Sequence, residues 1–283
     1  MALSERPLVD AALMAIEEIN AAGGLFGCAI APEIRDGASD ADRFVEMTQQ
    51  LIEVERVETI FGCWTSLSRK AVIPIVEKHN ILLWYPVQYE GLEESSCVFY
   101  TGLCPNQQVQ PALNWLMGQG RRRFYFVGSD YVFPRIVYKI IRGQLDNSQA
   151  AIVGVDFFPL GASDFSATVA NINRVQPDAI FNTLNGDSNL AFYAQCAAAG
   201  IDAEQMPIMA VSISEVELQR IGVAATGHYA CWRYFQSLDL PSNQRFVAKF
   251  KQRYGAIALP VTRLKRPTHR CISGGGPQLL PEP

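Results

Sequence analysis

Residues 58–85 read ETIFGCWTSLSRKAVIPIVEKHNILLWY, and the way this stretch divides decides the fold. Glu58–Phe61 ends an apolar run and reads as a strand. Ser66 to Lys78 reads as a helix, with Thr65 and Ser66 suited to its N-cap. The continuous apolar run at 81–85 reads as a second strand. Strands that are apolar throughout, separated by a helix, are the unit of a parallel sheet covered on both faces.

The same alternation runs outward from this unit. Upstream, Leu8, Ala12, Ala15, Ile16 and Ile19 fall at helical spacing, and Gly23-Gly24 is a stop signal. Ala29–Ile34 reads as a short strand, and Phe44, Met47, Leu51 and Ile52 mark a further helix. Downstream, helices are predicted over 107–118, 134–144, 164–174, 188–199 and 242–253, with a short one from Ser214. Strands are predicted over 124–127, 151–156, 178–182, 207–210 and 228–232. The polar, turn-rich segment Glu90–Cys104 breaks the rhythm and reads as a crossing between lobes, with a second change of lobe near Tyr234–Pro241. Two similar α/β lobes with a cleft between them are expected; a single open sheet is the competing arrangement.

Composition narrows the function. The chain has 283 residues, 49% hydrophobic and 18% charged, with a net charge of −4, which suffices for one large or two medium cores. A mild acidic excess argues against nucleic acid. No apolar stretch approaches the ~20 residues of a membrane helix, and the start, MALSERPLVDAALMAIEEIN, lacks the basic-then-apolar layout of a secretory signal. Seven cysteines without C-x-x-C spacing and three histidines far apart in the chain predict neither a metal site nor a disulfide framework. No cofactor motif is present: there is no G-x-G-x-x-G after the first strand, and the GGG at 274–276 opens no helix.

Ligands of such folds meet the carboxyl ends of strands. Three predicted strand ends carry polar and aromatic groups there: GCWTS after Phe61, GSDYVFP after Val127 and NTLNGDSN after Phe181. Cys63 has no base near it in sequence and reads as a structural thiol. Ser66 reads as a helix-start residue whose neighbouring amides can meet a ligand oxygen, and Arg69 and Lys70 as a solvated helical face. Trp64, Tyr85, Tyr89, Tyr131 and Phe133, five aromatics at strand ends, read as a pocket wall. The stretch quoted first is therefore expected to be a pocket floor, with no catalytic residue.

GCWTSLSRKAVIPIVEK, LLWYPVQYEGLE, FYTGLCPNQQ, FYFVGSDYVFPR, IFNTLNGDSN and GHYACWRYFQSLD together resemble the urea and short-chain-amide branch of the type I periplasmic binding proteins. The likeness is collinear from about Met1 to Ala256 and extends to the cytoplasmic amide sensors of amidase operons. It implies two Rossmann-like lobes joined by three crossovers, divided here into 1–103, 104–236 and a return over 237–256. It also implies a urea or short-amide receptor without catalysis, an ABC transporter permease as partner and a periplasmic location for the full-length family. A cytoplasmic amide-sensing regulator that binds a protein partner is the alternative. Carried over by position, ligand contacts fall at Trp64, Thr65, Ser66, Tyr85, Val87, Tyr131 and Phe133; Asn185 and Asp187 are added on their chemistry. The amide sensors have Tyr at the place of Trp64 and Thr at the place of Val87, so the two hydroxyls lost here favour urea. Both ends depart from the family. The strand expected before Met1 and the C-terminal completion of the first lobe are missing from the likeness, and 257–283, with five prolines and no aromatic residue, reads as a disordered tail.

Overall fold

The computed structural model describes residues 2–146, 148–255 and 271–273, with side chains over 5–146 and 148–255. Helix α1 (Ala2–Ala21) stops at Gly23-Gly24, both at positive φ. A Cβ on Gly24 would lie 2.0 Å from the Cys28 carbonyl oxygen, so the turn that closes on Cys28 needs glycine there. The strand expected over 29–34 does not form. Among the described residues no neighbouring strand offers it a ladder; instead the Asn20 side chain bonds both the N–H and the C=O of Ile30, at 2.7 and 2.9 Å. Helix α2 (Ala41–Gln49), capped by Asp40, runs into one π-helical turn at Gln50–Val54.

The quoted stretch then folds as read. β1 (Thr59–Phe61) leads into α3 (Ser66–His79), capped by Thr65 and ended by Asn80 in the left-handed region, and on to β2 (Leu82–Tyr85). The segment expected to be only a crossing contains β3 (Val98–Tyr100), parallel to β2. Its three apolar and aromatic residues sit inside a polar stretch, too short a run for alternation to declare itself. One face of this sheet, with Leu83, Tyr85 and Val98, packs on Val72 and Val76 of α3. On the other, Phe61, Trp84 and Phe99 stack side by side.

The second lobe contains α4 (Val109–Gly118), β4 (Arg123–Ser129), α5 (Val132–Leu145), β5 (Ala151–Phe158), α6 (Ser166–Val175), β6 (Ala179–Thr183), α7 (Ser188–Ala198), β7 (Ile208–Ala210), α8 (Glu215–Ile221) and β8 (Tyr229–Trp232). α9 (Pro241–Tyr254) follows, and Cys271–Ser273 form β9. The parallel sheet has the order β5-β4-β6-β7-β8-β9. Alternate β4 residues face opposite cores: Phe124 and Phe126 pack with Val109, Leu113 and Val137, whereas Tyr125 and Val127 pack with Val169 and Phe192. Helices thus cover both faces, as continuously apolar strands require. Of the expected tail 257–283, only β9 falls within the described residues; those three residues are ordered by register against the free edge of β8. The rest of that expectation lies outside the described residues.

Polar bonds help join the lobes. Gln88 Nε2 donates to Ser212 Oγ at 3.3 Å; within the second lobe, Gln108 Nε2 donates to the carbonyls of Val211 and Cys231 at 2.9 and 2.6 Å. Arg233, just after β8, donates to the carbonyls of Pro86 and Thr101. α9 packs on α1: Phe250 lies against Met14, and Tyr254 donates to the Asp10 carbonyl at 2.8 Å. Among the described residues no helix is long and apolar enough to cross a membrane.

Candidate ligand-binding site

Between β1 and α3, Cys63 takes φ 61°, which turns the chain sharply into the helix. Thr65 caps α3 by accepting from the Ser68 N–H at 3.1 Å. Ser66 begins the helix and is almost wholly enclosed. Its hydroxyl donates to Glu90 Oε2 at 2.6 Å and accepts from Arg69 Nη1 at 3.0 Å. With its single proton given to Glu90, Ser66 has no donor left to offer.

Arg69 overturns the expectation of a solvated helical face: its side chain is 0% exposed. The physical reason lies in the loop after β2. Glu90 Oε1 accepts from Arg69 Nη2 at 2.9 Å, Glu93 Oε1 accepts from Nε at 2.6 Å, and the rings of Tyr85, Tyr89 and Tyr100 stand 4.6, 5.6 and 5.7 Å from the guanidinium carbon. Two carboxylates and three ring faces replace the water the guanidinium gives up. Lys70, partly exposed, pairs with Glu93 and approaches Glu90 Oε1 to 3.3 Å. Burial alone would raise the Glu93 carboxyl, but hydrogen bonds from Arg69, Lys70 and Tyr100 outweigh it and hold it at about 2.

Tyr85 is fully buried, and its hydroxyl donates to the carbonyls of Trp64 and Gln88, at 2.8 and 3.2 Å. It thereby ties the loop after β1 to the loop after β2. Burial raises the Tyr85 hydroxyl above its ordinary value, the nearby Arg69 charge only partly opposing this. Trp64 and Val87 pack on the first-lobe core. Gly102 lies directly behind Val87; a Cβ there would stand 1.7 Å from the Val87 carbonyl oxygen.

The second lobe brings Tyr131 and Asn185. Asn185 Nδ2 donates to the Tyr131 hydroxyl at 2.7 Å, and its backbone N–H donates to Ser129 Oγ at 3.0 Å. Burial pushes the Tyr131 hydroxyl well above its ordinary value, and the neighbouring groups acting on it include Tyr85, Glu90 and Arg69 of the first lobe. Of the expected residues, Tyr131 and Asn185 are thus bonded to each other, and Tyr131 stands near enough to Tyr85 to be influenced by it. Others stand apart. Phe133 is buried in the second-lobe core, where its ring supports α5. Asp187 is exposed at the N-cap of α7 and its side chain makes no capping bond. Tyr89 stacks on Tyr100 with centroids 4.2 Å apart.

Sequence reasoning missed Arg69, Glu90 and Glu93 as a unit. The available signal was YEGLEE at 89–94: two carboxylates three positions apart, flanked by Tyr, directly after a strand end assigned to the pocket. Burial pushes the Cys63 thiol up to about 12, against a hydrogen bond from Ser68 and the charge of Arg69, so it keeps its proton at neutral pH. Among the described residues no group of three or more His, Cys, Asp or Glu could hold a metal ion.

A family model described as periplasmic binding protein domain matches residues 1–266. Leu/Ile/Val-binding protein homolog 6 of Brucella melitensis is 22% identical over 214 residues, covering 74% of this chain and 55% of its own length. The chain therefore spans about half the length of the curated relatives it matches. A solved solute-binding protein of an R. palustris ABC transporter, in complex with 4-hydroxybenzoate, superposes with a TM-score of 0.83 at 20% identity, over 91% of this chain and 71% of that one. The branched-chain amino acid transporter substrate-binding protein LivJ of Streptococcus pneumoniae, in complex with isoleucine, gives a TM-score of 0.79 at 20% identity, over 89% and 75%. At these identities the two structures establish a shared fold.

Proposed function

The chain belongs to the periplasmic binding protein family, and from that premise we propose that it is a solute-binding receptor of an ABC transporter whose ligand is urea or a short-chain amide. The supporting observation is the hydrogen-bonding state of Ser66, Tyr131 and Asn185. Ser66 has one acceptor lone pair left after its bonds to Glu90 and Arg69. Tyr131 accepts from Asn185, and burial keeps its proton in place, so its O–H is a donor. With its Nδ2 bonded to Tyr131, Asn185 presents Oδ1 as a second acceptor.

A planar amide or urea carries one carbonyl acceptor and N–H donors in a single plane. The Tyr131 O–H serves the carbonyl; Ser66 Oγ and Asn185 Oδ1 serve the N–H groups. Leaving one such buried partner unpaired costs about 1–3 kcal/mol, enough to reject an analogue that lacks one amide hydrogen. Without a nucleophile and base, the arrangement binds and releases its ligand unchanged, and delivery would be to a permease from the periplasmic side.

Equilibrium dialysis with radiolabelled urea and acetamide, beside isoleucine and 4-hydroxybenzoate, tests this reading. Saturable binding of urea or acetamide at one site per chain is expected. Saturation by either carboxylate ligand with no retention of urea or acetamide would refute it.

A further inference from the structure

Beside the Ser66 hydroxyl stand two cations and two carboxylates, Arg69, Lys70, Glu90 and Glu93, and every one is paired. Arg69 bonds both carboxylates, and Lys70 pairs with both. Their sum is zero. That balance is informative because α3 begins at Ser66 and its amino end attracts anions. With Arg69 and Lys70 alone on its first turn, this helix start would be an anion site. Glu90 cancels that tendency at the point where it matters, since its Oε2 lies 2.6 Å from Ser66 Oγ. Its charge is also felt across the cleft at the Tyr131 hydroxyl. Lys70 acts in the opposite sense: removing it would leave the array with one net negative charge beside the same oxygen.

We infer that this array sets ligand charge, with Glu90 excluding anionic solutes and Lys70 excluding cationic ones from a site shaped for an uncharged amide. The inference rests on the receptor reading above and adds to it the two residues that determine specificity by charge. Acetamide and acetate are near isosteres, as are urea and guanidinium. Shape cannot separate the members of either pair; charge at the site can.

Titration calorimetry on the full chain at neutral pH tests it with these four compounds. Glu90→Gln leaves one net positive charge and is expected to strengthen acetate binding about tenfold or more, the scale of one unit charge a few ångströms away at a partly screened site. Lys70→Gln leaves one net negative charge and is expected to strengthen guanidinium binding by a similar factor. The double variant restores balance and is expected to lose both gains. A Glu90→Gln protein that melts cooperatively yet binds acetate no better than the parent overturns the inference. So does Lys70→Gln with guanidinium binding unchanged. Should Glu90→Gln fail to fold, Lys70→Gln decides alone, because that lysine is partly exposed and its removal leaves Arg69 paired. Failure of the parent to bind either neutral compound refutes the receptor reading separately, while the variant gains still judge the array.

Discussion

Ser66 has one proton, and the structure directs it to Glu90 rather than to the cleft. Much of the site's chemistry follows from that, and it places weight on Arg69. Removing one partner of a buried ion pair strands the other, at a cost of about 3–5 kcal/mol. Arg69→Met is expected to destabilise by that amount in guanidinium chloride unfolding followed by circular dichroism; a loss under ~1 kcal/mol would mean the array is replaceable. Glu93 makes a pH prediction. Its folded value of about 2 lies below the ordinary 4.5, so its stabilisation is complete above pH 4.5 and is lost as pH falls toward 2. The melting temperature should decline through that window, and Glu93→Gln should flatten the decline. Tyr131→Phe removes one ligand-facing proton and is expected to weaken amide binding about tenfold or more by calorimetry. At this scale the sequence was only partly legible. Ser66 begins a helix after a strand end, Tyr131 and Asn185 stand between a strand end and a helix start, and Tyr85 ends a strand, a placement that the sequence displayed. Arg69 was not legible, because its partners lie 21 and 24 residues downstream and nothing local marks a guanidinium as buried.

Elements carry these residues into place through caps and close approaches. Thr65 holds the first turn of α3, and Thr65→Ala is expected to cost about 1 kcal/mol through loss of the cap alone. Because Ser66 is the next residue, the same change should weaken ligand binding as well as lower the melting point; a stability loss with unchanged affinity would separate the cap from the site. Most helices and strands were legible from the switch between helical spacing and continuous apolar runs. Two were not. Residues 29–34 have the composition of a strand but pair with Asn20 instead of a ladder, and a strand exists only where a neighbour completes it. β3 has a neighbour but is three residues long, shorter than any periodicity can reveal.

For the molecule as a whole, strand–helix alternation announced parallel sheets in two lobes, and the structure has them, with both faces of the larger sheet covered by helices. The polar bonds of Gln88 and Arg233 between the lobes were beyond reach of the sequence, since they join residues more than 100 positions apart. They tie the loops after β2 and β3 to the second lobe. The central claim is that an uncharged amide binds this chain and stabilises its folded state. A thermal melt of the full chain with and without urea and acetamide, at low millimolar concentrations far from denaturing, tests it most directly. Binding to the folded state alone raises the midpoint by mass action, so a cooperative transition shifted upward and saturably by one of the two is predicted. A cooperative transition that neither compound moves, but that acetate or isoleucine raises, would contradict the account.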